Sequence, residues 1–172
     1  MQFFVHLPRK NRRSILWSLS YMLDTEHLPQ TTKELVQWLK ARCYNFDSYS
    51  IDGNAIYEGF GLEKTLGGYE WYYTERGQRT TVAFFPTEQA ATAHAWQAIA
   101  ADKWATAHYV GLTSRPPEAQ ELAEKLQALG VKFWQDEIAN FYGQQRAAYR
   151  TFVAGCDIRQ VEFLLKRYYH KP

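Results

Sequence analysis

The sequence predicts an α+β protein in which an antiparallel β-meander of about four strands packs on an Ala/Trp-rich helix, with further N-terminal and C-terminal helices. Three observations lead to this class. Residues 68–85 are rich in aromatic, Thr and Val residues on both sides of a turn that contains glycine. Residues 86–109 are rich in alanine, and apolar residues recur at helical spacing near both ends of the chain. The 172 residues are expected to form a single domain, 1–172.

The segment 68–85 predicts a β-hairpin, and its loop length determines which side chains share a face. A two-residue loop at Arg76 and Gly77 makes one face almost entirely apolar. The cross-strand pairs on that face are then Tyr73 with Thr80, Trp71 with Val82, and Tyr69 with Phe84. The opposite face carries Glu70, Tyr72, Thr74, Arg79, Thr81 and Ala83. We therefore expect Trp71, Val82 and Phe84 to be buried together.

Two loop geometries are open for this hairpin. The two-residue loop needs a positive φ at Arg76, which a non-glycine residue adopts reluctantly. A three-residue loop that closes with a bulge at Gly77 would place Trp71 opposite Thr81 and mix polar and apolar residues on each face. The clean separation of the two faces favours the two-residue loop.

Two amphipathic helices are predicted before the sheet. Apolar side chains recur at helical spacing in residues 14–23. The basic segment before them, residues 9–13, is either a functional patch or a solvated lead-in. A second helix is capped by Thr31 or Thr32 and ends near Cys43. Its apolar stripe consists of Leu35, Trp38 and Leu39.

The segment between this helix and the hairpin predicts the other two strands. Tyr49 and Ile51 precede Asp52-Gly53, which is a strong signal for a hairpin turn. Apolar residues alternate along the next strand at Ile56, Phe60 and Leu62. Gly59 and Gly61 lie on its opposite face, where a bulge or the close approach of another backbone would explain them.

The longest predicted helix runs from Pro86 to about Tyr109. Side chains four residues apart share one face of a helix. In this helix they are Trp96, Ala100, Trp104 and His108. We expect this face to pack on the apolar side of the sheet, and a ligand-stacking face is the alternative.

The C-terminal third is predicted to be helical. A Gly/Pro/Ser loop, residues 111–117, ends the long helix, and the next helix starts at Pro116 or Pro117 and stops at Gly130. Two more helices follow, and Asp157 caps the last of them. The apolar residues of the three helices are, in order, Leu122, Leu126 and Leu129; Trp134, Ile138, Phe141 and Tyr142; and Ile158, Val161, Leu164, Leu165 and Tyr168.

No arrangement of residues in the sequence predicts catalysis. None of the five histidines pairs with another His, Cys or carboxylate at ligand spacing, which disfavours a metal site. Gly59 and Gly61 lack the third glycine and the following helix of a dinucleotide-binding fingerprint. The acidic residues of the predicted strands, Glu58, Glu63, Glu70 and Glu75, lack a second group with a defined catalytic role. We therefore expect a protein that is not an enzyme and needs no cofactor and no metal.

Charge and cysteine usage place further bounds on function. A formal net charge of +2 is too small to predict nucleic-acid binding by bulk electrostatics. Cys43 and Cys156 form no metal or redox motif, so we expect two buried thiols in a reducing compartment. At the N-terminus the charges follow the apolar residues, the reverse of a secretory signal, and the next apolar run is too short to span a bilayer. A cytoplasmic location without membrane contact is the expectation.

The central hairpin also carries a resemblance to a known family. An aromatic strand enters Glu-Arg-Gly-Gln, and a polar strand and a tryptophan-containing helix follow. The matching residues are Gly68-Tyr69, Trp71-Tyr72-Tyr73, Glu75-Arg76-Gly77-Gln78 and Trp96. In these residues the chain resembles the small immunity proteins of bacterial polymorphic toxin systems of the contact-dependent inhibition type. The resemblance implies a cytoplasmic protein that binds and blocks a cognate toxin domain, encoded by an adjacent gene, by stoichiometric protein–protein interaction.

The predicted partner-binding surface is the polar face and tip of the hairpin. Its residues are Glu70, Tyr72, Glu75, Arg76 and Arg79, which place charges of both signs around a tyrosine and so suit the orientation and anchoring of a partner. In the alternative interpretation, Glu75 and Arg76 fix the turn and the motif is a signature of the fold. The alternative function is a single-stranded RNA-binding module that uses an aromatic sheet face, although the preferred register leaves only Tyr72 as an exposed ring.

Overall fold

The computed structural model describes residues 28–51, 53–139 and 147–169. The helices in these residues are α1 (Thr32–Ala41), α2 (Glu88–Ala101), α3 (Pro116–Ala128) and α4 (Ile158–Tyr168), and a 3₁₀ turn, Gly155–Asp157, precedes α4. The strands are β1 (Tyr49–Ile51), β2 (Glu58–Thr65), β3 (Gly68–Glu75), β4 (Gln78–Phe85), β5 (Ala107–Thr113), β6 (Phe133–Ile138) and β7 (Ala148–Ala154). Some sequence predictions fall outside the described residues: the helix at 14–23, the basic segment 9–13, and the helical positions Phe141 and Tyr142.

The α+β class is confirmed by the first half of the structure. Four strands form one sheet in the order β1-β2-β3-β4, and the alanine-rich α2 packs on it together with α1. The first hydrophobic core lies between this sheet and the two helices. Its buried residues include Leu35, Leu39, Tyr49, Ile51, Leu62, Trp71, Ala91, Ala95 and Ile99.

The start and the end of α1 agree with the sequence prediction. Thr31 is the N-cap, and its side chain accepts a hydrogen bond from the amide of Glu34 at 3.2 Å. Leu35 and Leu39 are buried against the first core. The helix ends at Ala41, two residues before Cys43.

The predicted hairpin at Asp52-Gly53 is wrong, because β1 pairs with β2 in parallel. Asp52 itself lies outside the described residues. The side chain of Asn54 forms hydrogen bonds with the backbone of β1. Its amide group donates to the carbonyl of Tyr49 at 2.8 Å, and its carbonyl accepts from the amide of Ile51 at 2.9 Å. These bonds hold the loop against β1, so β2 begins again beside the start of β1.

The expected close approach of another backbone is confirmed at Gly59. This residue has a φ of 139°, and a Cβ atom there would lie 2.0 Å from the carbonyl oxygen of Ser48. The same oxygen accepts a hydrogen bond from the amide of Phe60 at 2.9 Å. Glycine therefore allows the segment before β1 to lie directly against β2.

The predicted two-residue hairpin loop is confirmed. Arg76 and Gly77 lie between the paired strands and have φ values of 50° and 77°. Positive φ at both central residues is the geometry of the tight hairpin turn whose twist matches that of the strands. Near the loop the register is also as predicted, because Tyr73 lies opposite Thr80.

A β-bulge at Val82 changes the register in the second half of the hairpin. Beyond it Trp71 lies opposite Ala83, because the extra residue in β4 has no partner in β3. Trp71 is 2% exposed, whereas Val82 and Phe84 are 54% and 55% exposed. The prediction that Val82 and Phe84 are buried with Trp71 is therefore wrong. Ala83, predicted on the polar face, and Phe85 pack against the core instead.

α2 ends earlier than the sequence pattern predicts. The carboxylate of Asp102 accepts a hydrogen bond from the amide of Trp104 at 2.8 Å, which turns the chain out of the helix. Trp104 and His108 therefore do not continue the helical face that begins at Trp96. Trp96 packs edge-on against Trp38 of α1, with 6.1 Å between the ring centroids. The buried residues of α2 are smaller: Ala91, Thr92, Ala95 and Ile99.

A second sheet, in the order β5-β7-β6, lies in the C-terminal part, where the sequence pattern predicts helices alone. β5 occupies residues assigned to the long helix and the loop after it, and β6 contains Trp134 and Ile138, which were assigned to a helix. α3 and α4 are confirmed, and Asp157 takes the N-cap position of α4 without a side-chain capping bond. A second hydrophobic core joins this sheet to α3 and α4: Val110, Leu122, Leu126, Val131, Val153, Val161, Leu164 and Tyr168.

The two cysteines form a disulfide, so the expectation of two buried thiols is wrong. The Cα atoms of Cys43 and Cys156 are 5.0 Å apart, although 113 positions separate the residues in the sequence. Cys43 is buried and Cys156 is exposed. Their spacing could not predict the bond, because it is the tertiary fold that brings the end of α1 next to the 3₁₀ turn.

Candidate functional site

Tyr72 is the centre of a compact group of side chains on the outer face of the first sheet, opposite the Trp71 side. Its ring lies over Gly61 of β2, where a Cβ atom would be only 2.1 Å from the ring. The guanidinium group of Arg79, from β4, lies over the ring at 3.5 Å from its centroid. Gly61 therefore provides the space for the ring, and Arg79 covers it.

Two carboxylates hold Arg79 in this position. Glu63 of β2 lies directly opposite Glu70 of β3, and Arg79 donates hydrogen bonds to Glu63 and, at 2.5 Å, to Glu70. The hydroxyl group of Thr81 donates to the other oxygen of Glu70. Because like charges on neighbouring strands repel each other, the guanidinium group between them stabilises the sheet. We call Glu63, Glu70, Tyr72, Arg79 and Thr81 the Tyr72 cluster.

The hydrogen bonds of the cluster lower the pKa of Glu70. The bond from the Thr81 hydroxyl is the main cause, partial burial opposes it, and the bond and charge of Arg79 add to it. A carboxylate whose pKa is lowered by folding adds stability at pH values above its unfolded pKa. That stability is lost as the pH falls through the folded pKa.

We expect the free energy of unfolding to fall as the pH decreases below about 4.5, the ordinary pKa of a glutamate side chain, in part because Glu70 takes up a proton. The substitution Thr81→Val removes the main hydrogen bond and should raise the pKa of Glu70 toward its ordinary value. Titration of the Glu70 carboxyl carbon by NMR measures this directly. A wild-type pKa at the ordinary value, or one unchanged by Thr81→Val, would contradict the assignment.

A cavity of about 390 Å³ lies between the Tyr72 cluster and the loop after β1. Ser50 and Asn54 line it on the loop side, and Tyr72 and Arg79 line it on the sheet side. Ser50 is 3% exposed, and its hydroxyl group donates to the carbonyl of Asn54 at 2.5 Å, which fixes the loop beside the sheet. The cavity has both charged and neutral walls and is large enough for a side chain of a partner.

Two exposed apolar side chains extend the Tyr72 cluster toward the edge of the sheet. Phe84 lies opposite Glu70, and Val82 is the bulged residue. The ring of Phe84 lies near Gly68, where a Cβ atom would be 2.9 Å from it. The sequence prediction assigned both residues to the core and so missed them as surface residues. It also missed Glu63, although a meander places this residue beside Glu70.

Glu75 and Arg76 lie at the hairpin tip, away from the Tyr72 cluster. Arg76 Nε is 3.7 Å from Glu75 Oε1, and the Arg76 side chain is 78% exposed. The Tyr73 hydroxyl lies 3.0 Å from a carboxylate oxygen of Glu58 and 3.5 Å from one of Glu75. Of the five residues predicted to bind a partner, the structure brings together Glu70, Tyr72 and Arg79.

Within residues 28–51, 53–139 and 147–169, no three His, Cys, Asp or Glu side chains form a group that could hold a metal ion. In the same ranges, no helix combines the length and the apolar character that crossing a bilayer requires.

Comparison of the chain with protein-family models, with curated proteins and with solved structures finds no match.

Proposed function

We propose that the chain is an immunity protein that neutralises a cognate toxin domain by stoichiometric binding and that it binds through the outer face of its first sheet. The observation that carries this proposal is the juxtaposition of the Tyr72 cluster with exposed Val82 and Phe84. Tyrosine, phenylalanine and arginine are enriched at protein–protein interfaces, and tyrosine and arginine are also enriched among the residues that contribute most of the binding energy.

The order of the Tyr72 cluster in the free protein supports a tight interaction. Binding costs free energy for every side chain that must be fixed at the interface. Arg79 already has two carboxylate partners and stacks on Tyr72, so its side chain loses little freedom when a partner binds. The partial exposure of Glu63 and Arg79, 53% and 39%, leaves both charges able to meet groups of the partner.

The alternative, an RNA-binding sheet, has less support in this geometry. Single-stranded RNA is bound by exposed rings on which bases stack, together with cations that contact phosphates. Here Arg79 covers the ring of Tyr72, and Glu63 and Glu70 neutralise its charge. A base could stack on Tyr72 only after Arg79 had left both carboxylates.

We expect the protein to bind the product of the adjacent gene at nanomolar affinity or tighter, about −12 kcal/mol. The double substitution Tyr72→Ala and Arg79→Glu should weaken that binding by about 2 kcal/mol or more, since it removes an anchor and reverses a charge at the proposed surface. Titration calorimetry measures the affinity, and growth of cells that express both genes measures protection. Arg159→Glu, at an exposed position of α4, is the matched charge reversal and should leave both the affinity and the protection unchanged.

The outcomes separate the function from the surface. If the neighbouring gene product is harmless alone, or kills cells in the presence of this protein, the immunity function is wrong. If protection and affinity persist in the double variant, the function stands and the chosen surface is wrong. Loss of RNA affinity in that variant, with a steep dependence on salt, would favour the alternative function.

A further inference from the structure

The disulfide crosses a polar junction between the two hydrophobic cores. The side chain of Asn45 donates hydrogen bonds to the carbonyls of Trp104 at 2.7 Å and Ala107 at 2.8 Å. His108 Nε2 lies 2.6 Å from the carbonyl oxygen of Cys43. Neither cysteine belongs to either hydrophobic cluster, so the disulfide acts on the junction and not on the packing of a core.

Cys43 has a backbone conformation that suits glycine better than cysteine. Its φ is 56°, its amide donates to the carbonyl of Lys40 at 3.1 Å, and the amide of Tyr44 donates to that of Leu39 at 2.9 Å. These two bonds close α1 as a Schellman motif, in which the residue at the position of Cys43 is usually glycine. A cysteine here costs stability unless its side chain contributes something that glycine cannot. The disulfide is such a contribution.

We propose that the Cys43–Cys156 disulfide is a redox-modification site that controls the coupling of the two cores. Cys156 is exposed, whereas Cys43 is 8% exposed, so we assign the attack of a small thiol such as glutathione to Cys156. Reduction frees the segment after α1 from the 3₁₀ turn and leaves each core packed. This property is separate from the proposed toxin binding.

Reduction of the disulfide by thiol–disulfide exchange consumes two glutathione molecules. The first thiolate forms a bond to Cys156 Sγ, the disulfide breaks, and the electron pair stays on Cys43 Sγ, which takes up a proton. The second thiolate attacks the glutathione sulfur of the mixed disulfide and releases Cys156, which also takes up a proton. Two electrons thus pass to the protein, and glutathione disulfide is formed. Glutathione disulfide reverses the sequence and restores the bond.

The test equilibrates the full chain in buffers with defined ratios of glutathione to glutathione disulfide. Mass spectrometry after thiol labelling counts the free thiols, and thermal unfolding and amide hydrogen exchange are measured on the same samples. We expect Tm to fall by about 10 °C on reduction. Amide exchange should accelerate in residues 42–46 and 104–108 while the hairpin stays protected. The double variant Cys43→Ser, Cys156→Ser should match the reduced protein and be insensitive to the buffer.

Three results would overturn the proposal. The first is two free thiols in wild-type protein equilibrated with excess glutathione disulfide. The second is a reduced protein with unchanged Tm and unchanged exchange. The third is loss of protection from amide exchange throughout the chain on reduction. The disulfide would then be required for the stability of the whole fold and would not merely couple two packed cores. Since the wild-type protein is itself reduced and oxidised, each result can be obtained even if the serine variant fails to fold.

Discussion

The substitution Trp71→Ala should lower the free energy of unfolding by about 3–5 kcal/mol, the range for a large aromatic side chain removed from a core. Trp71 is 2% exposed. Its ring stacks on Phe60 at 5.5 Å between centroids and meets His94 of α2 edge-on at 5.7 Å. Removing it therefore leaves a cavity between the sheet and α2 that small neighbouring side chains cannot fill. Chemical denaturation monitored by circular dichroism measures the loss.

Phe84→Ala is the matched control for this prediction. Both substitutions remove an aromatic ring from the same hairpin, but Phe84 is 55% exposed. We expect Phe84→Ala to cost less than about 1 kcal/mol, as for most surface substitutions. An equal loss of stability in the two variants would contradict the register that the bulge at Val82 creates. It would favour the register without a bulge, in which Phe84 is buried with Trp71.

The second large effect is expected for Gly59→Ala, which should destabilise the protein by about 3 kcal/mol or more. Two costs combine at this position. A φ of 139° is unfavourable for any residue with a Cβ atom, and that atom would lie 2.0 Å from the backbone oxygen of Ser48. Because the contact is with backbone, it can be relieved only by moving the segment before β1 away from β2. Urea denaturation gives the change in stability.

Gly53→Ala separates the two costs. Gly53 also has a positive φ, 94°, but a Cβ atom there would have no heavy atom within 4 Å. We expect this control to cost about 1 kcal/mol, from backbone strain alone. If Gly59→Ala costs no more than Gly53→Ala, β1 does not lie against β2 as the structure places it.

The sequence was sufficient to predict the features that depend on local chemistry. The Thr31 cap of α1 and the loop at Arg76 and Gly77 follow from side chains that act within a few residues. The bulge at Val82 could not be predicted, because a register without a bulge also gives two faces of different polarity. The difference lies in tertiary packing: α2 accepts Ala83 and Phe85 against the core and leaves Phe84 outside.

The second sheet was missed because its strands lack a clear period of two. In β5 the shift in register near Val110 brings that residue into the second core and interrupts the alternation. In β6 the apolar Trp134 and Ile138 stand four residues apart, a spacing that fits a helix equally well. Pairing with β7 decides between helix and strand for both segments, and for β5 this partner lies far along the chain.

The candidate site could be predicted in part. Glu70, Tyr72 and Arg79 follow from the alternation of side chains in a hairpin with a short loop. The loop residue Asn54 could not be assigned to the site, because its position depends on how β1 and β2 pair. Glu63 was missed although the predicted meander pairs β2 with β3 and so places it opposite Glu70. The sequence signal at Asp52-Gly53 favours an antiparallel turn, which would place the loop elsewhere.

The bulge at Val82 also has a consequence for pairing at the edge of the sheet. β4 is the last strand of its sheet, and an edge strand with apolar residues is a template on which a strand of another molecule can pair and begin an aggregate. At the bulge the extra residue interrupts the regular row of backbone donors and acceptors and increases the local twist. A straight strand of another molecule that paired with β4 would lose its hydrogen bonds to β4 at the bulge. The edge can therefore expose Val82 and Phe84 to solvent while it resists unspecific growth of the sheet.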